Sequence, residues 1–501
     1  MSKSKIKHNV LKLTRVVFAA LFFAGLTLLF LDFTNTLHPY LSWMAKLQLL
    51  PAILSVNVVV VIALLLLTFL FGRVYCSVIC PMGVLQDIFS HVGSWRKKHR
   101  FSYHKPQNIL RYIVLAIFVL LLVFGLQSIA LLVAPYSAYG RIVNSLFAPI
   151  YALINNLFAS VAEHFRSYAF YSTDVWLRSV SALVVSAITF VGIGALAFFR
   201  GRLWCNTICP VGGLLSLVSR YSLFAISIDK DKCTNCRSCE RNCKSECINI
   251  KEHSVDSSRC VDCMNCLENC KFGAIGYKLR SRAVKAVEPQ SADAEVDASR
   301  RRFLTTTATI AAAGALSAQH KTTDGGLAVI EQKRVPTRSV KIKPAGAGSI
   351  KRFGEHCTAC QLCVSACPGK VLRPSDDIKT LMQPEMSFER GYCADDCTRC
   401  SEVCPAGAIE KINADERLVT QVGHAVWIRQ NCVVITDGVS CGNCARHCPV
   451  HAIMMVDDGL GHEIPAVDES KCIGCGKCEY LCPSRPFSAI YVEGYEQHKT
   501  I

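Results

Sequence analysis

Four long apolar stretches, a repeated segment carrying paired cysteines, and six four-cysteine runs predict two kinds of structure in one chain. The first is a membrane α-helical bundle of four spans, and the second a set of small α+β modules wrapped around metal-bound loops. At 501 residues the chain exceeds what a single core organises, so several modules are expected.

The spans come first in the chain. Val16–Leu31 (lengthened by Leu11 and Leu13), Leu47–Gly72, Tyr112–Val133 and Ser179–Phe199 carry no charge, and a helix needs about 20 apolar residues to cross the hydrocarbon. Lys3, Lys5, Lys7, Lys12 and Arg15 precede the first span. Arg96, Lys97, Lys98, Arg100 and Lys105 lie between the second and third, and Arg200, Arg202 and Arg220 follow the fourth. The other connections are poorer in Lys and Arg, which places both ends of this part at the cytoplasmic face. Ile142–Ala162 is also uncharged, but Asn144, Ser145, Asn155 and Asn156 interrupt it. It reads as an amphipathic helix on the outer surface.

A repeat supports that count. Phe71-Gly-Arg-Val-Tyr-Cys-Ser-Val-Ile-Cys-Pro-Met-Gly-Val-Leu85 recurs as Arg200-Gly-Arg-Leu-Trp-Cys-Asn-Thr-Ile-Cys-Pro-Val-Gly-Gly-Leu214, each copy beginning where an apolar stretch ends. Copies on one membrane face are separated by an even number of crossings. Cys76, Cys80, Cys205 and Cys209 therefore become candidate cofactor ligands, pseudo-symmetry bringing four thiols together for a shared metal or cluster.

The remaining cysteines fall into runs with short, regular gaps. Cys233, Cys236, Cys239 and Cys243 form one, and Cys260, Cys263, Cys266 and Cys270 the next, with Lys244 and Lys271 where proline usually follows. Four further runs end the chain: Cys357, Cys360, Cys363 and Cys367; Cys393, Cys397, Cys400 and Cys404; Cys432, Cys441, Cys444 and Cys448; Cys472, Cys475, Cys478 and Cys482. Proline follows each last cysteine at Pro368, Pro405, Pro449 and Pro483. Two-residue gaps let a short loop wrap three corners of a [4Fe–4S] cube, and the fourth cysteine reaches a cube as well. Zinc motifs leave longer gaps between their pairs, and disulfide scaffolds are small secreted domains. Six cubes are expected, in α+β bacterial-type ferredoxin modules, one dicluster and one tetracluster. In such a dicluster fold the fourth cysteines exchange, so Cys270 joins Cys233, Cys236 and Cys239, and Cys243 joins Cys260, Cys263 and Cys266. For the last four runs the spacing leaves open whether neighbours or nested pairs exchange. Cys247 is spare and reads as a packed thiol. Ala408-Ile409 and Ala452-Ile453 suit short strands.

Composition excludes other classes. Hydrophobic residues make up 51% of the chain, and the net charge is +17. Each oxidised four-thiolate cube carries about −2, so six bring the total to about +5. The remaining positive charge largely flanks apolar spans, so nucleic acid is not an expected partner. No histidines pair within the spans, which leaves haem ligation without a basis.

The expected domains are 1–228 (membrane), 229–282 (dicluster), 283–350 (linker) and 351–501 (tetracluster). Within the linker, Ser299-Arg-Arg-Arg-Phe-Leu304 has the form of a twin-arginine export signal. Thr305–Ala318 behind it is mildly apolar, about 21 Å long as a helix, and Ala313-Gly-Ala315 offers a cleavage site.

With these residues assembled, the first 280 positions resemble NapH, the membrane component of a quinol dehydrogenase serving periplasmic nitrate reductase. The resemblance rests on four spans, the CxxxCP loops at Cys76–Pro81 and Cys205–Pro210, and the two cluster motifs behind them. Residues 300 to 493 resemble NapG and the related MauM, exported ferredoxin-type proteins with a twin-arginine leader and four [4Fe–4S] sites. The resemblance implies a multi-pass protein of the bacterial cytoplasmic (inner) membrane, its N-terminus cytoplasmic and its last module periplasmic. Electrons would pass from quinol, the substrate drawn from the quinone pool, to a periplasmic cytochrome or reductase. It assigns no catalytic residue. A CcoG-like metal-reducing or maturation factor shares the CxxxCP repeat and is the alternative, followed by a subunit of a larger ferredoxin-linked membrane complex.

Overall fold

The computed structural model describes residues 3–32, 34, 36–96, 101–167, 170–173, 175–280 and 331–501. Residues 283–330 of the expected linker, with the Ser299–Leu304 motif, Thr305–Ala318 and Ala313–Ala315, and the basic residues Lys97, Lys98 and Arg100 lie outside the described residues.

Three helical runs are long and apolar enough to cross a membrane: Val10–Leu31, Pro135–His164 and Val180–Arg200. This differs from the four expected stretches. Leu47–Gly72 is broken: helix Leu49–Leu54 stops, Val56 turns with φ +53°, and the Asn57 side chain caps Val58–Phe71 by accepting from the Val60 amide at 3.3 Å. Tyr112–Val133 is broken at Gly125, whose φ of +74° ends the helix Asn108–Val123. Both remnants are shorter apolar helices.

Ile142–Ala162, expected on the surface, instead lies within a continuous helical run that passes through a π-turn at Val143–Phe147. The asparagines that made it look amphipathic are hydrogen-bonded to protein. Asn144 donates to Gln361 Oε1 at 3.0 Å, Asn155 to the Tyr171 carbonyl at 2.9 Å, and Asn156 to the Thr173 carbonyl at 2.8 Å. A polar side chain satisfied in this way costs far less in an apolar setting.

The two repeat copies fold alike. Val58–Phe71 ends at Gly72 (φ +76°) and Val180–Arg200 at Gly201 (φ +61°), positions where a Cβ would be strained. Each then makes a five-residue helix, Val74–Val78 or Leu203–Thr207. A Cys-Pro step follows, with proline opening the next helix at Pro81 or Pro210, where its missing N–H is harmless.

The first soluble unit pairs Phe224–Ile228 antiparallel with Ile275–Leu279 and Ile248–Asn249 with Ser254–Val255. Its outer strand thus begins at Phe224, ahead of the expected boundary at Asp229. In the last unit Thr420–Trp427 pairs with Ile490–Thr500, Leu372–Pro374 with Pro384–Met386, and Ile453–Asp457 with Glu463–Val467. Ile453 opens a strand as expected, whereas Ala408-Ile409 does not. There the Glu410 amide turns to the Gly346 carbonyl at 2.9 Å instead of a strand ladder. Gly346 belongs to a segment read as linker, yet Arg338–Lys343 is packed into this unit. Arg338 donates to both Glu479 oxygens (2.6 and 2.8 Å) and to the Val492 carbonyl (2.7 Å), and Ile342 is fully buried. Backbone hydrogen bonds hold this segment, so its Gly, Pro and basic residues mislead as linker signals.

The soluble units meet the Val10–Leu31 helix at opposite ends. Lys12 pairs with Glu268 of the first unit, while Phe30 packs on Tyr136 and Gly140, beside Cys360 of the last. Eighteen residues of helix separate Lys12 from Phe30, about 27 Å. One apolar core runs from the apolar helices into the last unit, with Tyr75, Cys76, Tyr136 and Cys360 among its members.

Candidate iron–sulfur sites

The six soluble runs gather their thiols into separate groups. Cys233, Cys236, Cys239 and Cys270 line one cavity. Cys243, Cys260, Cys263 and Cys266 line another, with Cys247 as a fifth thiol. In the last unit Cys363 lies within electrostatic reach of Cys360, Cys357, Cys404 and, least strongly, Cys400, and Cys400 within reach of Cys393, Cys367 and Cys397. Cys432, Cys441, Cys444 and Cys482 line a further cavity. Cys478 lies within electrostatic reach of Cys475, Cys472 and, least strongly, Cys444, and Cys472 within reach of Cys448. In every soluble unit the fourth cysteine thus sits with the neighbouring run. The wide gap between Cys432 and Cys441 is spanned by the short helix Val433–Thr436 and the loop behind it, which return Cys441 to the same cavity.

This arrangement fits a cube. The donor set is thiol, four per group. Among the described residues no three His, Cys, Asp or Glu converge on one metal-ion position. Left-handed residues shape the loops: Asn235, Arg237, Asp262, Met264, Ala359, Gln361, Gly442, Gly474 and Gly476 all have positive φ inside the runs. Backbone amides also point at sulfur, Ala359 to Cys357 at 3.4 Å, Ala452 to Cys448 at 3.2 Å and Ala489 to Cys482 at 3.3 Å. Such donors tune cluster potential.

Cys247 is buried 3.6 Å from Cys243 Sγ. Its hydrogen bond pulls the Cys243 thiol down to about 7, whereas burial pushes Cys444 and Cys475 up to about 11 and Cys239 to about 12.

The four CxxxCP thiols are brought together too. Cys76, Cys80, Cys205 and Cys209 are all buried and within electrostatic reach of one another. The flanking arginines cross over between the copies. Arg202 Nη1 donates to the Cys76 carbonyl at 2.7 Å, and Arg73 Nη2 to the Cys205 carbonyl at 3.2 Å. Both have 0% exposure. Arg202, read above as a membrane-flanking charge, is instead an internal tie, because Asp87 lies 2.7 Å away.

Asp87 also joins the modules. Lys244 Nζ reaches it at 2.6 Å, and Arg15 pairs with it as well. Burial alone would raise the Asp87 carboxyl, but Arg202, Lys244 and Arg15 hold it well below the usual carboxylate range. The Lys244 carbonyl accepts from the Arg202 amide at 2.8 Å. Lysine thus stands in the place of proline because this position docks the first cysteine-rich unit on the apolar helices. The Gly-Arg step before each CxxxCP motif was the sequence signal for the crossed arginines; nothing local marked Asp87 as their partner.

A cavity of about 510 Å³ lies between the apolar helices and the last cysteine-rich unit. Phe30, Tyr151 and Trp176 give it aromatic walls, Asn144 and Arg178 a hydrogen-bonded polar end, and Cys367 forms part of its boundary.

A family model described as a 4Fe-4S binding domain matches residues 55–100 and 182–229, and one described as a 4Fe-4S dicluster domain matches residues 356–408 and 439–485. The ferredoxin-type protein MauM of methylamine utilization from Methylobacillus flagellatus is 30% identical over 169 residues, covering 31% of this chain and 70% of the relative. The ferredoxin-type protein NapG of Escherichia coli K12 is 28% identical over 182 residues, 32% of this chain and 76% of the relative. NapF of the same strain is 25% identical over 158 residues, 31% and 87%. No solved structure matches the chain.

Proposed function

The chain belongs to the family of ferredoxin-type iron–sulfur electron-transfer proteins that includes MauM, and from that premise we propose that it is a membrane-bound component of quinol dehydrogenase type. It takes electrons from the quinol pool and delivers them to a periplasmic cytochrome or reductase. In this reading a NapH-like membrane part and a NapG-like exported part are fused in one polypeptide of the bacterial inner membrane. The N-terminus is cytoplasmic and the tetracluster module periplasmic.

The observation that carries the reading is the cavity against Cys367. Its volume suits a small amphipathic ligand. Tyr151 and Trp176 offer faces to an aromatic head group, while Arg178 and Asn144 offer hydrogen bonds to its oxygens. Oxidation of a quinol to a quinone releases two electrons and two protons. Clusters held by the six ferredoxin runs supply one-electron transfer. The chain's own residues bind and orient the quinol, and keep Cys367 at the cavity edge.

Placement of the soluble units at opposite ends of one apolar helix supports a periplasmic position for the last of them. The test is anaerobic mixing of the purified chain with a quinol analogue, watched by EPR. Growth of reduced-cluster signals, slowed by Trp176→Ala, is expected; clusters that stay oxidised would remove the quinol step.

A further inference from the structure

We propose that a polar cavity between the apolar helices and the first cysteine-rich unit binds one phosphate group, held by Arg111, Arg259 and Ser245, and that this anion fastens the unit to the helices. The cavity measures about 160 Å³ and is walled from both sides, by Arg111, Arg200 and Asn206 of the helices and by Ser245, Glu246 and Arg259 of the unit. One water needs about 10–15 Å³, so a group of several heavy atoms has room.

Three buried donors line it with nothing to receive them. Arg111 is 2% exposed, and its Nε donates to the Asn206 carbonyl at 2.7 Å and its Nη1 to Ser258 Oγ at 3.3 Å. Arg259 is 5% exposed, and its Nε donates to Asp256 at 2.7 Å and its Nη1 to the His104 carbonyl at 2.8 Å. In both guanidinium groups Nη2 has no hydrogen-bond partner among the described residues, and neither has buried Ser245 Oγ. Buried polar atoms of this kind are rare unless something else meets them. Two guanidinium forks and a hydroxyl match the three or more oxygens of a phosphate better than the two of a carboxylate.

The charges point the same way. Lys105, Arg111, Arg200 and Arg259 place four cations around the cavity, with His104 beside them. The carboxylates that face them are engaged already. Glu246 pairs with Arg200 at 3.2 Å and with His104 Nδ1 at 2.9 Å, and Asp256 pairs with Arg259 and accepts from the Ser258 hydroxyl. Among the described residues these pairs leave Arg111 and Lys105 without a carboxylate. The principal electrostatic neighbours of Arg111 are Arg73, Tyr112, Asp256 and Arg259. Asp262 answers Arg73, and Arg259 is shared with Cys243. Four cations against two carboxylates leave two positive charges over, and an unpaired charge as buried as Arg111 is strongly disfavoured.

A phospholipid headgroup and free phosphate share this chemistry. Arg200 ends the apolar helix Val180–Arg200, and Arg111 lies in the first turn of Asn108–Val123. Ile109 (79% exposed) and Phe199 (66%) neighbour these cations along the chain. A basic pocket at helix ends beside exposed apolar surface is the pattern that receives anionic lipid headgroups.

Thermal unfolding of the full chain, washed extensively in detergent and titrated with each source, tests the site. Phosphatidylglycerol should raise the melting temperature saturably, and phosphatidylcholine, with no net charge, should raise it less. A gain from phosphatidylglycerol alone assigns a lipid headgroup; the same gain from inorganic phosphate at matched ionic strength assigns the free anion. Arg111→Gln should raise the midpoint concentration about tenfold or more, as loss of a hydrogen bond to a charged group predicts. A gain that sodium chloride reproduces, a midpoint that Arg111→Gln leaves unchanged, or no response to either phosphate source overturns the proposal. If Arg111→Gln does not fold, Ser245→Ala decides: a raised midpoint supports the site, and an unchanged one contradicts it.

Discussion

Arg202 donates to the carbonyl oxygen of Cys76 at 2.7 Å although 126 residues separate them. The reverse bond, from Arg73 to Cys205, makes the tie reciprocal. Two loops that each end a helix are thus locked face to face, and their four thiols are positioned by buried guanidinium groups. The glycine three residues after each second cysteine makes this approach feasible. A Cβ on Gly83 would lie 2.1 Å from the Cys76 carbonyl and 2.7 Å from Arg202 Nη1, and one on Gly212 would lie 2.2 Å from the Cys205 carbonyl and 2.7 Å from Arg73 Nη2.

Gly83→Ala and Gly212→Ala should therefore act alike. Each forces backbone to move in a close-packed junction, at a cost of about 1–3 kcal/mol. Thermal unfolding in detergent measures it. Wild-type stability in both variants would mean that the loops do not meet in this way.

Asp87→Asn leaves Arg202, Arg15 and Lys244 buried without their shared anion. Removing one partner of a buried ion pair costs about 3–5 kcal/mol. Hydrogen exchange should rise first where Lys244 docks, around residues 243–247, with the tetracluster module unchanged. Uniform protection in the variant would contradict the docking role.

The fourth cysteines offer a sharper test. Cys404 belongs by sequence to the run of Cys393, Cys397 and Cys400 but sits with Cys357, Cys360 and Cys363. Cys404→Ser should alter the same EPR signal as Cys357→Ser, and Cys367→Ser the same signal as Cys393→Ser. Signals grouped by run instead would show that the exchange is absent.

Acid should release the clusters. Burial pushes Cys239 up to about 12 and Cys444 and Cys475 up to about 11, so these thiols are protonated at neutral pH without metal. Cluster binding takes the thiolate and releases protons, and retention must rise with pH. Visible absorbance followed from pH 8 to pH 5 should bleach faster at the acid end. Bleaching that slows as the pH falls would reverse the sign and contradict it.

Much of this was legible in the sequence because ligand spacing is local. Three cysteines two residues apart wrap one cube whatever the rest of the chain does, so the soluble thiol groups of the first unit could be read off directly. The repeat at Phe71 and Arg200 likewise foretold that Cys76, Cys80, Cys205 and Cys209 would meet. Partners distant in sequence were hidden. Asn144 and Asn156 looked like the polar face of a surface helix because Gln361 and Thr173, which satisfy them, lie elsewhere in the chain. Hydropathy counted Leu47–Gly72 and Tyr112–Val133 as unbroken, since Val56 and Gly125 turn the chain without adding charge. Arg338 reads as a linker residue because Glu479, its partner, lies 141 residues further along the chain.

Outward electron flow from quinol to the last module is decided in sealed right-side-out vesicles. Quinol added to such vesicles should reduce the clusters, and impermeant ferricyanide outside should reoxidise them within the same preparation. Clusters that quinol reduces but external ferricyanide cannot reach would place the last module on the inner side and contradict the account.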